Sequence, residues 1–511
     1  MTKTKINKAN ELAKLLKDQT WRLNNLYRVQ NEEGQDVPFV MNDAQKELWE
    51  ELHYCNIIPK ARQLGFSTFI CIFILDTCLF RANTNAGTID ITLDDAKKKL
   101  EKIKFAYERL PEGIRKAVPL TTENKQTLEW GNGSSAAVGT SHRGGTLQIL
   151  HVSEFGKISA KYPDKAKEIR TGAFGTVHRG QMIFIESTAE GAAGDFHDLT
   201  MQAQADQQEG RKLSPKDFKL HFFPWHLHKG YVDDPESRVM PEEMTEYFDK
   251  LEGEESIELS PEQRAWYVSM RRTVGPDEML REYPATLKEA FNVSIEGAYF
   301  KEQMGAIRTG GRILKIPLNP SVPVNTFWDI GVDDSTSIWF HQPGAAGSHA
   351  LVDYYEASGE GVDHYIKVLE EKRKERGWLY GKHFGPHDLD NRNWAAIGAK
   401  PIVDTAKDLG LKFEVVPRIQ NKIDAINAAR TFLSVTAIDE TYCTQGIKCL
   451  DHYRKAWNER RADWSSEPLH DWSSHGADAL MTGACGYRPA YVDPVKDRYG
   501  KRNSRRSAWA A

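Results

Sequence analysis

Cys55-Asn56-Ile57-Ile58-Pro59-Lys60-Ala61-Arg62-Gln63-Leu64-Gly65-Phe66-Ser67-Thr68 is the stretch on which the reading of this chain turns. It starts as a short apolar run with the character of a strand. It then passes through a polar, glycine-bearing loop and enters the apolar segment Phe69 to Phe80. Strand, loop and helix in that order are the setting in which successive backbone N–H groups and a helix N-terminus hold phosphate. Lys60, Ala61, Arg62, Gln63, Leu64, Gly65, Phe66, Ser67 and Thr68 are therefore candidate nucleotide-binding residues, with the Ser67 hydroxyl placed to ligate Mg²⁺. One feature departs from G-x-x-x-x-G-K-[ST]: Phe66 stands in the lysine slot and Lys60 stands where the first glycine belongs. The missing charge on the β- and γ-phosphates then falls to Lys60 or Arg62.

Further elements lie on either side of the loop. Upstream, Gln45 follows Phe39 and Asn42, and its amide can pair with adenine N6 and N7; the plainer reading is an exposed residue in the first turn of a helix. Downstream, Leu147-Gln148-Ile149-Leu150-His151-Val152-Ser153-Glu154 is an apolar strand ending in a carboxylate. Glu154 is the candidate for polarising the attacking water, and Ser153 occupies the place of the usual metal-associated Asp. Ile183-Phe184-Ile185-Glu186-Ser187-Thr188 is another core strand, and its terminal hydroxyls, Ser187 and Thr188, are candidates for coupling phosphate release to movement; by itself Ser-Thr-Ala is a turn. Arg143, between Thr140-Ser-His and Gly144-Gly145, lies in a loop whose glycines let it project a guanidinium outward, and is a candidate for the arginine that in ring ATPases completes a neighbouring subunit's site, a role that contributes about 10³ to 10⁵ in rate where it occurs. The alternative for Arg143 is an arginine that binds DNA phosphate or braces the loop.

A chain of 511 residues exceeds what one hydrophobic core usually serves and predicts two compact domains. Short apolar runs alternate with helical stretches in both halves, the pattern of α/β domains. The spacing predicts strands at Cys55–Pro59, Ala86–Ile91, Thr146–Val152 and Met182–Glu186, with a hairpin around Gly131-Asn132-Gly133. It divides the chain into an N-terminal segment (1–41), a P-loop ATPase domain (42–230), a helical linker or lid (231–320), a second α/β domain (321–490) and a flexible basic tail (491–511). The six cysteines have no zinc-binding spacing and are expected to be reduced. A net charge of −4 gives no whole-chain support to nucleic-acid binding, so any DNA contact is local. No apolar run approaches the roughly 20 residues of a membrane span, and the N-terminus lacks a secretion signal. A cytoplasmic protein is expected.

The second domain carries spaced aspartates. Asp329 lies within an expected strand Thr326–Gly331, followed by a polar turn with Asp333 and Asp334 and a returning strand, with a third at Ala350–Tyr355. Asp388 is expected at the end of another short strand. Asp478 sits where His470-Asp-Trp-Ser-Ser-His-Gly-Ala-Asp478 turns into an apolar helix. Asp329, Asp388 and Asp478 are candidate ligands for two Mg²⁺ or Mn²⁺ ions about 3.5 to 4 Å apart, since hard oxygen donors favour those metals. Asp333, Asp471 and His475 are secondary candidates. Taken singly, each aspartate is more often a cap or turn residue.

Ala61-Arg-Gln-Leu-Gly-Phe-Ser-Thr68, His151-Val-Ser-Glu-Phe155, Glu186-Ser-Thr-Ala-Glu-Gly191, Arg281-Glu-Tyr-Pro-Ala-Thr-Leu-Lys-Glu-Ala-Phe291 and Ser474-His-Gly-Ala-Asp-Ala479 resemble phrases of the large terminase subunits of tailed bacteriophages. The resemblance covers roughly residues 40 to 487. It implies a RecA-like P-loop ATPase followed by an RNase H-like nuclease. It also implies an ATP-driven motor that moves double-stranded viral DNA into a procapsid and cuts the concatemer. The implied cofactors are ATP with Mg²⁺ and two nuclease metals; the implied partners are the portal protein, a small terminase subunit and further copies of the chain in a ring, in the host cytoplasm and transiently at the portal. The rival readings are a helicase-type DNA remodeller, which needs a second RecA-like domain, and a DNA-binding scaffold with a degenerate loop.

Overall fold

Five parallel strands form the centre of the first half of the chain: β1 (Cys55–Pro59), β2 (Asn85–Ile89), β3 (Leu147–Ser153), β4 (Val177–Ser187) and β5 (Phe218–Leu220). Their order across the sheet is β5-β1-β4-β3-β2, every neighbouring pair parallel. Beyond β2 the sheet continues through Ser135–Gly139, Thr127–Trp130 and Leu120–Glu123, the last two added antiparallel. The fifth-first-fourth-third-second order of the parallel strands is that of a RecA-like domain. β1 is buried throughout, as a strand covered by helices on both faces must be. The computed structural model describes residues 11–142, 145–191, 194–237, 239–292, 297–331, 335–390, 401–458 and 463–488. Contacts divide the chain into two units, residues 1–296 and 297–511.

Helices α1 (Asp43–Glu50), α2 (Phe66–Phe80), α3 (Leu93–Glu108), α4 (Phe155–Lys161) and α5 (Asp195–Gln208) connect or flank these strands. α2 is buried from Phe69 to Asp76, so it is a core helix rather than an amphipathic one. Its one charged residue, Asp76, is fully buried and takes Arg22 Nε and Nη2 at 2.8 and 2.7 Å and the Tyr27 hydroxyl at 2.6 Å. The N-terminal segment thereby anchors the helix that follows the loop. The stretch expected as a separate linker, 231–320, divides between the units. Helices Glu242–Glu255, Pro261–Val274 and α6 (Pro276–Glu282) belong to the first, with Phe248, Tyr267 and Met279 in the same core as Phe66 and Phe69. Trp266 stacks there on Tyr231 at 4.2 Å. The three-residue strands Phe218–Leu220, Arg28–Gln30 and Asp36–Pro38 were not expected, since three residues are too few for alternation to register.

The second unit is built on β6 (Val324–Asp329), β7 (Ser335–Pro343), β8 (His349–Ser358), β9 (Tyr380–Gly385) and β10 (Phe413–Val415). They lie in the order β8-β7-β6-β9-β10, continued past β8 by Thr436–Asp439 and Ile313–Leu314. β6, β7 and β8 are antiparallel in succession, and β9 and β10 join in parallel. Third-second-first-fourth-fifth, with an antiparallel opening meander, is the RNase H-like arrangement. Helices α7 (Lys422–Ser434) and α8 (Trp472–Gly486) follow.

α8 approaches the sheet closely because its contact face carries glycine. A Cβ at Gly483 would fall 2.0 Å from the Phe327 ring, and one at Gly476 would fall 2.7 Å from Cys449 Cβ and 2.8 Å from the Tyr354 hydroxyl. The Trp339 indole donates to the Gly476 carbonyl at 2.7 Å. Gly483→Ala is predicted to lower stability by about 1–3 kcal/mol through overpacking. Gly305→Ala, where a Cβ meets nothing within 4 Å, is predicted to be neutral or slightly stabilising. Equal denaturation midpoints for the two variants would contradict the close approach.

Candidate functional site

In the first unit the site is gathered around Glu186, a fully buried carboxylate near the end of β4. Its Oε1 accepts from Ser67 Oγ at 2.5 Å and Ser153 Oγ at 3.1 Å and meets His151 Nε2 at 3.3 Å. Its Oε2 lies 3.3 Å from Lys60 Nζ, itself only 7% exposed. Burial would raise the Glu186 carboxyl, but Lys60, His151 and Ser67 outweigh it and hold Glu186 well below the usual carboxylate range. Burial would lower Lys60, and the carboxylates of Glu186, Glu154 and Glu282 overcome it, so Lys60 stays charged. Sequence reasoning passed over Glu186; the available signal was a carboxylate following Phe184 at a two-residue spacing on one face of an apolar strand.

The displaced lysine has a structural explanation. Phe66 is 1% exposed and packs its ring on Phe223 at 4.5 Å. The lysine slot therefore points into the core, while Lys60, just past the end of β1, pairs with Glu186. The amides of Lys60, Ala61 and Arg62 are spent on Ser187 O, Phe223 O and Glu282 O at 3.1, 2.8 and 2.8 Å. What remains for an anion is the later part of the loop, with Gln63 and Gly65 both left-handed at φ 59° and 76°, and the amides of Phe66, Ser67 and Thr68 that open α2. Leu64 is buried. Thr68 Oγ1 accepts from Lys102 Nζ at 2.8 Å. Gln45 is buried rather than exposed: its Oε1 accepts from Asn42 N at 3.1 Å and its Nε2 donates to Gly65 O at 2.9 Å, so both ends of the amide brace the loop.

Glu154 follows β3 in a left-handed conformation, φ 57° and ψ 38°, rare for a residue with a side chain and typical of strain held at a working site. Its N–H donates to Glu186 O at 2.7 Å, and its Oε2 lies 3.3 Å from Lys157 Nζ. Gly156 presses α4 onto the next strand's end: its N–H donates to Ser187 Oγ at 3.0 Å, and a Cβ there would lie 2.5 Å from Thr188 O. Glu154, Ser187 and Thr188 are thus brought together. Arg62 pairs with Glu282, as does Lys157, and Arg281 pairs with Glu190 at 3.5 Å. Arg143 lies outside the described residues. Ser67 and Glu186 offer adjacent hard oxygens at strand and helix ends, a donor set that fits Mg²⁺.

In the second unit Asp329 is the last residue of β6, and α8 brings Asp478 beside it. Burial raises the Asp478 carboxyl, the Lys422 ammonium at 2.7 Å opposes this, and the Asp329 charge adds to the rise. Two carboxylates that repel each other at the edge of a core fit a divalent cation. His475 Nδ1 lies 3.4 Å from Asp329 Oδ2. Asp471 caps α8, accepting from Ser473 N at 2.9 Å, and pairs with Arg454 at 3.1 Å, so it holds the helix start. Asp388 does not end a strand: β9 stops at Gly385 because Pro386 has no N–H to continue the ladder, and Asp388 lies exposed on the turn His387–Asp390. The structure does not bring it to the other two. Among the described residues no three His, Cys, Asp or Glu side chains form a metal-holding group. Asp333, Asp334 and the tail 491–511 lie outside the described residues. All six cysteines are free.

The chain is therefore a RecA-like unit with a nucleotide-type loop, joined to an RNase H-like unit with paired carboxylates. No family model and no curated relative matches it. Among solved structures it is similar to the large terminase of a thermophilic bacteriophage, at 12% identity over 87% of this chain and 98% of that one, TM-score 0.33. It is similar to the large terminase of bacteriophage HK97 at 11% identity over 84% and 90%, TM-score 0.39. A third likeness is the cobalt-bound large terminase nuclease of thermophilic phage G20c, at 11% over 38% and 99%, TM-score 0.28. The strand orders themselves define the two folds. No helix among the described residues is long and apolar enough to cross a membrane.

Burial pushes the Glu190 carboxyl up to about 7 from 4.5, with Arg281 and Lys157 pulling the other way. A folded-state value above the unfolded one means the folded protein takes up the proton first, so stability rises as pH falls through 7 toward 4.5. Glu190→Gln is predicted to remove this gain, about 1.4 kcal/mol per pH unit at most. Urea midpoints of wild type and variant compared between about pH 8 and pH 6 test it; parallel profiles would count against it.

Proposed function

We propose that this chain is the large subunit of a viral DNA-packaging motor, in which ATP hydrolysis drives double-stranded DNA into a procapsid and a metal-dependent nuclease cuts the concatemer. The observation that carries this reading is the pairing, in one chain, of a RecA-like sheet bearing the strained Glu154 with an RNase H-like sheet on which Asp329 faces Asp478. A helicase-type remodeller would repeat the parallel RecA-like sheet, and the antiparallel β6-β7-β8 meander is not such a repeat.

In this reading Glu154 accepts the proton of the attacking water, held near the phosphates by its rigid contact with β4. Ser67 and Glu186 would hold Mg²⁺, which would supply positive charge to the phosphates, while Lys60 and Arg62 supply fixed cations. Ser187 and Thr188, pressed against α4, carry the change at the phosphates into the rest of the unit. Asp329 and Asp478 would hold divalent Mg²⁺ or Mn²⁺, which would supply an activated water and charge stabilisation for the leaving oxygen. The DNA contact is a grip on the phosphate backbone and largely independent of sequence. The partners are the portal protein, a small terminase subunit and further copies of the chain in a ring. Arg143 completes hydrolysis in a neighbouring copy, and the work takes place in the host cytoplasm and at the portal.

Glu154→Gln is predicted to bind ATP normally and to lose hydrolysis by at least about 10². Phosphate release under saturating ATP measures this, and near-normal turnover would remove Glu154 from the mechanism. Asp478→Ala or Asp329→Ala is predicted to abolish metal-dependent plasmid cleavage and leave ATP turnover intact. Loss of both activities in a folded variant would argue against two separate sites.

A further inference from the structure

Between the loop and the end of α6 lies a charge arrangement that the motor reading has not used. Glu282, the last residue of α6, directs one carboxylate oxygen to each of two cations. Oε2 lies 3.6 Å from Arg62 Nη1, and Oε1 lies 3.7 Å from Lys157 Nζ. Both distances exceed a hydrogen bond, and Oε2 is buried without a hydrogen-bond partner. The carboxylate is therefore held by charge and not by directed bonds. Its main chain is held firmly: Arg62 N–H donates to Glu282 O at 2.8 Å, and the Tyr231 hydroxyl donates to Arg62 O at 2.6 Å.

The two cations come from positions that follow the carboxyl ends of β1 and β3, the edge at which open α/β sheets bind ligands. Arg62 belongs to the loop, and Lys157 lies one helical turn after Glu154, 3.3 Å from its Oε2. Two positive groups converging on a two-oxygen anion are a phosphate-binding arrangement already filled by a side chain. A nucleoside triphosphate carries more charge than one carboxylate and makes bonds to the α2 amides that Glu282 does not make. It therefore competes for the same cations and wins.

We infer that Lys157 is a phosphate-binding residue alongside Arg62, and that Glu282 occupies the phosphate's place when no nucleotide is bound. Nucleotide entry then releases the Glu282 side chain and loosens the tip of α6 from the loop. This inference rests on the reading of the first unit as an ATPase.

The test is titration of the full chain with mant-labelled AMP-PNP and Mg²⁺. Glu282→Gln removes the competing charge and keeps the shape, and is expected to tighten binding roughly tenfold, the gain from opening a latch closed about nine-tenths of the time. Lys157→Met, at a side chain 28% exposed, is expected to weaken binding roughly tenfold. The gain from Glu282→Gln should shrink in the Lys157→Met background, a non-additivity that general loosening of the fold would not produce. Unchanged or weaker binding by folded Glu282→Gln overturns the latch, as does undiminished gain in the double variant. If Glu282→Gln does not fold, unchanged affinity of Lys157→Met overturns the assignment alone. Failure of the wild-type chain to bind the probe overturns the ATPase reading itself, which the other outcomes leave standing.

Discussion

A single buried carboxylate organises the first unit. Moving an ion out of water costs several kcal/mol even after the protein relaxes, and an ion pair recovers this only when the remaining lone pairs are satisfied. Glu186 meets that condition at Oε1, with Ser67, Ser153 and His151, while Oε2 is held by the charge of Lys60 alone. Together with Glu186 itself, these groups span three adjacent strands or their ends and the first turn of α2. The pair is poor as a source of net stability, since apolar side chains would pack there at lower cost. What it does is fix the positions of four chain segments relative to one another, because displacing any one strands a charge or a hydroxyl in the core. Glu154 and Ser187 occupy positions next to those segments, and their geometry follows from it.

The second unit solves a similar positioning problem by volume instead of charge. Asp478 stands beside Asp329 because glycines at 476 and 483 let α8 settle onto Phe327, Trp339 and Tyr354. The two carboxylates gain proximity at an electrostatic cost that Lys422 partly offsets. Both units thus place charged groups at the edges of apolar sheets, where the low dielectric strengthens every interaction. They also place glycine where a helix presses closely on its neighbours: Gly156 against the Thr188 carbonyl, and Gly476 against the side chains of Cys449 and Tyr354.

Much of this was legible in the sequence. The strands expected at Cys55–Pro59, Thr146–Val152 and Thr326–Gly331 and the Gly131-Asn132-Gly133 hairpin fall within two residues of the observed elements, because local periodicity reports which faces are buried. The Lys60 and Phe66 exchange was visible as an anomaly but not as an explanation. Only the packing of Phe66 on Phe223 reveals that the lysine slot faces the core. Asp388 was read as a strand end because a short strand does precede it, but Pro386 ends that ladder at Gly385 and turns the chain before Asp388 is reached.

The sequence by itself determined the two α/β classes, the loop, and the candidacy of Glu154, Asp329 and Asp478, because strand ends and helix starts are written in local patterns of hydrophobicity and turn chemistry. The tertiary structure alone decided the strand orders, the role of Glu186 as the shared partner, the bracing of Gly65 by Gln45, and the convergence of Arg62 and Lys157 on Glu282. Those relations join residues tens to hundreds of positions apart. Buried charge is satisfied by whichever partner the fold delivers, and no local pattern along the chain encodes that choice.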